Sequence, residues 1–436
     1  MPFDINQSRC ELHGTMRAAK CAAAAVLAFS LLLFALPSTA CAQRAGKKNK
    51  AGANSTVQTY PSPHFLLHTD LPPGEARELL KQLEVEVKLI AVYWGRPPSG
   101  ILECYVAKDL ATWPEQLLNS MEPKGIAKIR EGAGVCLGTT VSVGDRFAAK
   151  ARVYAVSKEG VPLHEAVHGY CQQTFGRSGP HWYAEGMAEL GHYWLNGKKG
   201  VNANPYVIKY LRESPPRQLA DLIVTDEELG GTWQDYAWWW LLCHLLENNP
   251  NYSAEFRALG PELLAGKDTG FRQVFGARIK ELTFEYDFFL QHLETGYRVD
   301  LCSWDWKRKF FTLIAGRAVS ATIQANRGWQ PSGLTVSANT RYEYGATGTW
   351  RAGKDAETVD AGGASDGRGR LVGILMKDYQ LGEEFELGQS GSFTAPDDGN
   401  LYLRCRAVWN KLADNSGRIT VKFRLKGQDA TSSAEK

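Results

Sequence analysis

The 436-residue sequence has little excess charge, no C-x-x-C motif, no internal repeat and no second long apolar run after its N-terminus. Its formal net charge is only +3, a balance that favours neither nucleic-acid binding nor attachment to a membrane surface. Without C-x-x-C spacing, a cysteine-ligated zinc site or a thioredoxin-like redox motif is not predicted. No later segment reaches the length of a transmembrane helix, so no membrane span is predicted once the N-terminus is removed.

The N-terminus itself has the pattern of an export signal. Basic residues precede an apolar run over 22–36, and the A-x-A pattern at 40–42 offers a cleavage site. We therefore predict a signal peptide over 1–42 and a secreted or periplasmic protein. Lipoprotein anchoring at Cys41 is disfavoured, because Ser38 stands where a lipobox normally carries leucine.

Export leaves an even number of cysteines in the mature chain. Disulfides are permitted in an oxidising compartment, although the sequence does not determine their pairing. The pair Cys104–Cys136 is the most local option. Cys171 lies one helical turn after His168, and we expect it to be buried or disulfide-bonded. The six cysteines are Cys104, Cys136, Cys171, Cys243, Cys302 and Cys405.

The mature chain divides by composition into a tether, two domains and a tail. Residues 43–60 are rich in Lys, Ala, Gly and Ser and are predicted to form a flexible basic tether. Residues 61–309 are predicted to form one domain, with a small α/β front lobe followed by a helical lobe. Residues 310–428 carry short alternating strands separated by Gly-rich turns, which is typical of a β-sandwich. A disordered tail is predicted for 429–436.

The expected fold class is therefore α+β, with a jelly-roll-like β-sandwich at the C-terminus. In the front lobe, strands are predicted at 64–69, 101–107 and 153–156, with a helix over 72–93 between the first two. From residue 160 to about residue 294, nearly every segment has helical periodicity.

The main chemical signal is the motif His164-Glu165-Ala166-Val167-His168. Positions i and i+4 share one face of a helix, so both imidazoles can reach one metal ion. Glu165, next to the first histidine, can contact an attacking water without being a ligand. A helix carrying two unrelated histidines is the alternative reading of this motif.

A second motif, which contains two glutamates, follows the HExxH motif. Sixteen residues separate Glu185 from His168, which leaves room for a turn and a second helix. Glu189 lies one helical turn further on and could orient a ligand imidazole through its second ring nitrogen. A catalytic zinc needs three protein ligands and one open position, so a third ligand is expected in this segment.

HExxH followed by W-x-x-E-G-x-A-E resembles the gluzincin metallopeptidases, which include the aminopeptidase-like and peptidase-MA-like groups. The resemblance covers roughly residues 60–295. It implies that His164, His168 and Glu185 bind Zn²⁺, that Glu165 is the general base and that Glu189 orients a ligand. It further implies hydrolysis of peptide bonds in a peptide or protein substrate.

The resemblance also implies a group that stabilises the oxyanion. Tyr236, in the segment W-Q-D-Y-A-W-W-W, occupies the expected place, while core packing is the alternative and His181 and Tyr183 are rivals. The Gly-Ala-Met-Glu-Asn stretch with which aminopeptidases hold a free N-terminus is absent, which puts aminopeptidase specificity in doubt. Strand 153–156 is the candidate for pairing with substrate backbone. His192 and His244 are expected to be packing or surface histidines.

The C-terminal domain carries a second resemblance. The segments G-R-L-V-G-I-L-M-K, G-Q-S-G-S-F-T-A-P-D-D-G-N-L-Y-L and W-N-K-L-A-D-N-S-G are similar to the galactophilic bacterial lectin, a jelly roll that binds galactose through calcium. Lys411 stands where the lectin loop supplies an acid, while Asp414 and Asn415 are retained. Because calcium prefers six to eight oxygens, we expect an accessory sandwich without calcium, with a glycan as a second candidate partner.

Three functional hypotheses follow. The first is a secreted zinc metallopeptidase with Glu165 as general base. The second is a carbohydrate-binding or adhesion protein with an inactive or structural zinc domain. The third is a zinc hydrolase that acts on a different carbonyl compound, because the site requires only a polarised carbonyl.

Overall fold

The computed structural model describes residues 57–143, 146–158, 160–193, 198–223, 231–267 and 270–425. The predicted signal peptide, most of the tether and the predicted tail lie outside these residues. The strands are β1 Gln58–Pro61, β2 Phe65–Thr69, β3 Leu102–Ala107, β4 Gly134–Val143, β5 Arg146–Val156, β6 Phe311–Thr312, β7 Ala318–Gln324, β8 Gln330–Val336, β9 Arg341–Arg351, β10 Leu371–Lys377, β11 Gln380–Leu381, β12 Phe385–Glu386, β13 Ser390–Thr394, β14 Gly399–Cys405 and β15 Ser416–Leu425. The α-helices are α1 Pro73–Trp94, α2 Glu115–Leu118, α3 Pro123–Arg130, α4 Val161–Phe175, α5 His181–His192, α6 Pro205–Glu213, α7 Leu219–Leu222, α8 Trp233–Asn248, α9 Ser253–Leu264, α10 Phe271–Phe275, α11 Ile279–Gln291 and α12 Val299–Cys302.

The front lobe is built on a five-stranded mixed sheet with the order β1-β2-β3-β5-β4. The three inner strands are parallel, and each outer strand is antiparallel to its neighbour. Parallel neighbours require a crossover, and α1 supplies it between β2 and β3. Helix α1 starts at Pro73 and ends before Gly95, whose positive φ of 66° suits a residue without a side chain.

The two outer strands were not predicted. The tether predicted for 43–60 is wrong at its end, because Gln58–Pro61 pairs with β2 as strand β1. Strand β1 is mostly exposed and lacks an apolar alternation, so its sequence carries no strand signal. Strand β4 contains Gly134 and Gly138, which weaken the same signal.

The helical lobe places α4 against strands β4 and β5, with α5 packed on α4 and α8 packed on α5. Helix α4 begins after Gly160, whose φ of 82° again favours glycine, and carries Pro162 in its first turn. Helix α8 is fixed at its start by a capping box between Thr232 and Asp235. These contacts hold α4, α5 and α8 in a common apolar core. All three helices also carry polar side chains.

The C-terminal region is a sandwich of two antiparallel-rich sheets. One sheet has the order β11-β10-β14-β8-β6, with β12 pairing with β10, and the other has the order β13-β9-β15-β7. Along β15, Ile419, Val421 and Phe423 are fully buried and alternate with exposed residues, as expected for a strand with one core face. The predicted α+β class with a C-terminal β-sandwich is confirmed.

The sandwich packs closely on the helical lobe. Strand β10 is buried along both faces, because its residue Leu375 faces the sandwich core while Ile374 lies in an aromatic cluster with Phe288 of α11. At the junction, the buried Glu285 of α11 accepts hydrogen bonds from a set of five donors. They are Asn249 Nδ2, Asn251 Nδ2, Tyr252 Oη, the Trp304 backbone N–H and Trp306 Nε1.

The local disulfide considered from the sequence is wrong. Cys104 on β3 is level with Val153 on β5, which is level with Cys136 on β4, so the two cysteines are separated by a whole strand. Two strand spacings amount to about 9.6 Å, whereas a disulfide needs Cα atoms within about 7 Å. All six cysteines of the described residues are free. No described helix has both the length and the apolar character needed to cross a membrane.

Candidate metal centre

The histidines of the HExxH motif meet on one face of α4. His164 and His168 are one turn apart, and their Nε2 atoms lie 3.2 Å from each other. The backbone of α4 is buried against β4 and β5, so neither imidazole is a free surface group. Both nitrogens point into a cleft of about 700 Å³ between β4, α4, α5 and the start of α8.

Helix α5 brings Glu185 to the same point. Its Oε2 atom lies 3.3 Å from His164 Nε2 and 3.3 Å from His168 Nε2. A tetrahedral zinc ion with ligands about 2.0–2.1 Å away places its ligand atoms about 3.3 Å apart, and the observed triangle has that size. Glu185 Oε2 is buried, and both imidazole Nε2 atoms face it. The three predicted ligands therefore fit a zinc ion in size and chemistry.

Glu189 lies behind this triangle. Its Oε1 atom is 3.2 Å from His164 Nδ1, and its Oε2 atom is 3.6 Å from His192 Nδ1. A hydrogen bond from His164 Nδ1–H to Glu189 leaves the Nε2 lone pair pointing at the cleft, which is the tautomer a metal ligand needs. Glu189 thus occupies the orienting position predicted for it. A second candidate ligand group consists of His164, Glu189 and His192, and it shares this carboxylate.

The titratable groups of the triangle shift the pKa values of one another. Burial lowers the pKa of His164, but hydrogen bonds to Glu185 and Glu189 outweigh burial and raise that pKa well above its ordinary value. Burial alone would raise the pKa of Glu185, yet the nearby His168 and His164 imidazoles lower it strongly. The carboxylates around the two imidazoles therefore favour a positive charge at this point.

Glu165 is beside the triangle but is not part of it. Burial raises the pKa of its carboxyl group, and the two imidazoles only partly offset this effect. A hydrogen bond from the Cys136 backbone N–H lowers the pKa of Glu165 and links the carboxylate to β4. Gly134 makes room for this arrangement, because a side-chain Cβ at that position would lie 2.7 Å from Glu165 Cγ.

The strand that was predicted to pair with substrate has no free edge. Residues 153–156 belong to β5, which is bonded to β3 on one side and to β4 on the other, so β5 has no open edge. Strand β4 is the outer strand of the sheet, and its residues 134–136 and Gly138 line the cleft. The outer edge of the sheet beside the candidate metal centre is therefore that of β4, which the sequence pattern did not identify.

Tyr236 lies in the cleft, and its ring stacks on the His164 imidazole with centroids 6.1 Å apart. Burial and the neighbouring carboxylates of Glu185 and Glu165 raise the pKa of Tyr236, so its hydroxyl stays protonated and can donate. Its rival Tyr183 is fully buried and accepts a hydrogen bond from Trp94 Nε1 at 2.8 Å, which removes it from the cleft. His181 does line the cleft.

The positions of two further histidines bear on the predictions. His244 is buried between Trp240 and Phe289, away from the cleft. His192, expected to be a packing or surface histidine, instead lines the cleft beside Glu189. Its position three residues after Glu189 on α5 was the available signal, because residues i and i+3 lie on one helical face.

The sandwich has a cleft of its own, about 600 Å³ in volume, that includes Lys411, Asp414 and Asn415. Asn415 is buried, and its Nδ2 donates to the Ala325 carbonyl at 2.9 Å, so its amide group has a structural role. Both candidate metal groups found among the described residues contain His164, and neither lies in the sandwich.

Comparison with known proteins adds little. No protein-family model matches the sequence, and no curated protein matches it. Among solved structures, the chain has a weak and partial likeness to the N-terminal domain of EclA, described as a PllA-like lectin. The likeness covers 25% of this chain and 96% of that domain, with 19% sequence identity and a TM-score of 0.22.

Proposed function

We propose that this protein is a zinc-dependent peptidase exported from the cell. The observation that supports the proposal best is the convergence of His164 Nε2, His168 Nε2 and Glu185 Oε2 at mutual distances of 3.2–3.3 Å, with Glu165 beside them. The buried Oε2 atom of Glu185 faces the two Nε2 atoms, and a bound cation would be held by all three of these ligand atoms. Export rests on the sequence of residues 1–42.

The two histidines and Glu185 would hold the ion, and Glu189 would fix the His164 tautomer that leaves Nε2 free. When bound, zinc supplies Lewis acidity, which polarises a carbonyl group and makes water a nucleophile near neutral pH. The open side of the triangle faces the cleft, where a substrate carbonyl can enter.

Glu165 would move the proton during hydrolysis. Its carboxylate takes one proton as water adds to the scissile carbonyl carbon, and it returns that proton to the leaving nitrogen when the C–N bond breaks. Burial raises the pKa of Glu165, which makes the carboxylate a stronger base than an exposed one. The Tyr236 hydroxyl, protonated beside His164, would donate to the carbonyl oxygen as negative charge develops there.

The test is to purify the mature protein, measure its zinc content and incubate it with a mixed peptide library, with Glu165→Gln as the comparison. We expect one zinc ion per chain, cleavage by the wild type and a large loss of cleavage in the variant. Absence of zinc would contradict the proposal, and so would cleavage that Glu165→Gln leaves unchanged. Ester and amide panels run in parallel would reveal a non-peptidase zinc hydrolase.

Glycan binding through the sandwich stays a prediction. The charged residues that line its cleft are exposed, and Asp366 is paired with Arg368 at 2.6 Å. A glycan array probed with the mature full-length protein, with and without a calcium chelator, tests it. Chelator-sensitive binding to one sugar class would support the carbohydrate-binding hypothesis.

A further inference from the structure

Trp233 differs from the other tryptophans of this protein in its exposure. It is 42% exposed, whereas the other tryptophans that the structure describes are buried or half-buried. It is also the first residue of α8 and lines the cleft that contains the metal centre. An exposed large aromatic ring at the wall of a cleft is typical of a surface that contacts a ligand.

Neighbouring rings hold the Trp233 indole in place. Tyr210 packs against it edge-on at 4.9 Å between centroids, and Tyr206 lies at 5.3 Å in a tilted arrangement. Tyr206 is itself 67% exposed, so the two rings of Trp233 and Tyr206 form a continuous apolar surface. We call these three residues the aromatic platform. Both Tyr206 and Tyr210 come from α6, so the platform joins two helices.

The backbone under the platform is fixed as well. Thr232 and Asp235 form the capping box of α8, and Asp235 also pairs with Arg217 at 2.6 Å. Because of these bonds, the carboxylate of Asp235 is already engaged. The nearest acid on the helix therefore offers no unpaired charge to a ligand at Trp233.

Helical geometry relates the platform to the chemistry. Trp233 and Tyr236 are three residues apart on α8, so they share one face, and both line the cleft. Tyr236 stacks on His164, which places Trp233 about one turn from a residue that contacts the metal-site imidazole. A peptide bond seated at the metal centre would extend a neighbouring side chain towards the platform.

We propose that the aromatic platform is a specificity subsite that selects substrates with a neutral aromatic side chain next to the scissile bond. This inference rests on the proposed peptidase function and adds the substrate class. An aromatic side chain would bury apolar area against Trp233 and gain the geometric preference of paired rings. A carboxylate side chain would meet the negative faces of these rings and gain no partner there.

The experiment uses the zinc-loaded mature protein with two probes, the hydroxamates of phenylalanine and of alanine, together with matched peptides that carry either residue. The variants are Trp233→Ala and Trp233→Phe. The control is Phe311→Ala, which removes an exposed ring from strand β6 in the sandwich. Dissociation constants are measured for the hydroxamates, and kcat/KM is measured for the peptides.

We expect the wild type to prefer the phenylalanine probe by about tenfold, because a favourable ring pair and its buried area are worth roughly that factor. Trp233→Ala should abolish this preference while binding the alanine probe as before. Trp233→Phe should restore most of it, and Phe311→Ala should keep it. Equal loss for both probes in Trp233→Ala, an unchanged preference, or failure of both probes to bind the zinc-loaded wild type would overturn the inference.

The two proposals can fail separately. Wild-type protein that binds zinc and shows the Trp233-dependent hydroxamate preference, yet cleaves no peptide, would contradict the peptidase function and leave the subsite supported. Cleavage of peptides without any Trp233-dependent preference would contradict the subsite alone.

Discussion

The cleft at the candidate metal centre and the cleft in the sandwich are similar in size but different in construction. The metal-site cleft of about 700 Å³ is lined by buried polar groups such as His164, Glu165 and Glu189, whereas the charged residues that line the 600 Å³ sandwich cleft are exposed. Burying a polar group without a partner costs free energy, so buried carboxylates that converge on one point need a compensating ligand. Charged groups in the exposed cleft need none, because water solvates them.

The backbone around the metal-site cleft makes room for its side chains. At the metal site, Gly134 lets strand β4 approach within contact of Glu165, and Gly160 opens α4 in a conformation that favours glycine. In the sandwich, regular alternation along β15 accounts for the packing of the core.

The largest expected effect is on catalysis at the first cleft. Changing Glu165→Gln should lower kcat by a factor of about 10²–10⁴, because the general base is lost while the zinc ligands remain. The measurement is kcat on a cleaved library peptide, together with zinc content. The control is Glu78→Gln, an exposed position of α1. If Glu165→Gln keeps full activity, the buried carboxylate of the metal-site cleft does not distinguish that cleft from the sandwich cleft in function.

The second expected effect is on stability in the sandwich. Leu403→Ala removes a fully buried side chain from the sandwich core and should lower the free energy of unfolding by about 2–5 kcal/mol. The affinity for zinc should not change, because the metal centre contains no sandwich residue. Denaturant unfolding and zinc titration measure the two quantities, with the exposed Leu89→Ala as control. Weaker zinc binding would show that the two regions are coupled.

A third change tests the junction between the regions. Glu285→Gln places an amide N–H₂ against donors that now bond a carboxylate, and it should cost about 1–3 kcal/mol of unfolding free energy. The measurement is the denaturation midpoint, and Glu213→Gln on the exposed side of α6 is the control. If Glu285→Gln is as stable as the wild type, the hydrogen bonds to Glu285 do not hold the sandwich on the helical lobe.

The smallest expected effect concerns the residue behind the metal ligands. Glu189→Gln should weaken zinc binding by about 10–100-fold, because the orienting acceptor for His164 Nδ1–H becomes weaker. Competition with a chelator of known affinity measures the change. Wild-type affinity in Glu189→Gln would mean that α4 packing alone orients His164.

Local patterns predicted most of what lies within one helix or strand. The i, i+4 spacing of His164 and His168 needs only helical geometry, and the alternation along β15 needs only strand geometry. Strand β4 could not be predicted in the same way, because its glycines are explained by contacts with α4, which are distant in sequence. The position of Cys136 two strands from Cys104 depends on sheet order, which no local pattern encodes.

In the candidate site, too, some contacts could be predicted from the sequence and others could not. Glu185 joins the histidines because α5 packs across α4, and the spacing of the two motifs made that contact possible to predict. The effect of the Cys136 N–H on Glu165 depends on strand order. The platform at Trp233 depends on the packing of α6 against α8. Tertiary contacts of this kind have no signature in a single sequence.

The central claim is that His164, His168 and Glu185 bind one zinc ion, and an anomalous difference map at the zinc absorption edge tests it most directly. Crystals of the mature protein should show one peak within about 2.0–2.3 Å of His164 Nε2, His168 Nε2 and Glu185 Oε2. The peak should be absent in crystals of His164→Ala. A zinc-soaked crystal with no peak at this point, or with a peak that persists in His164→Ala, would contradict the account.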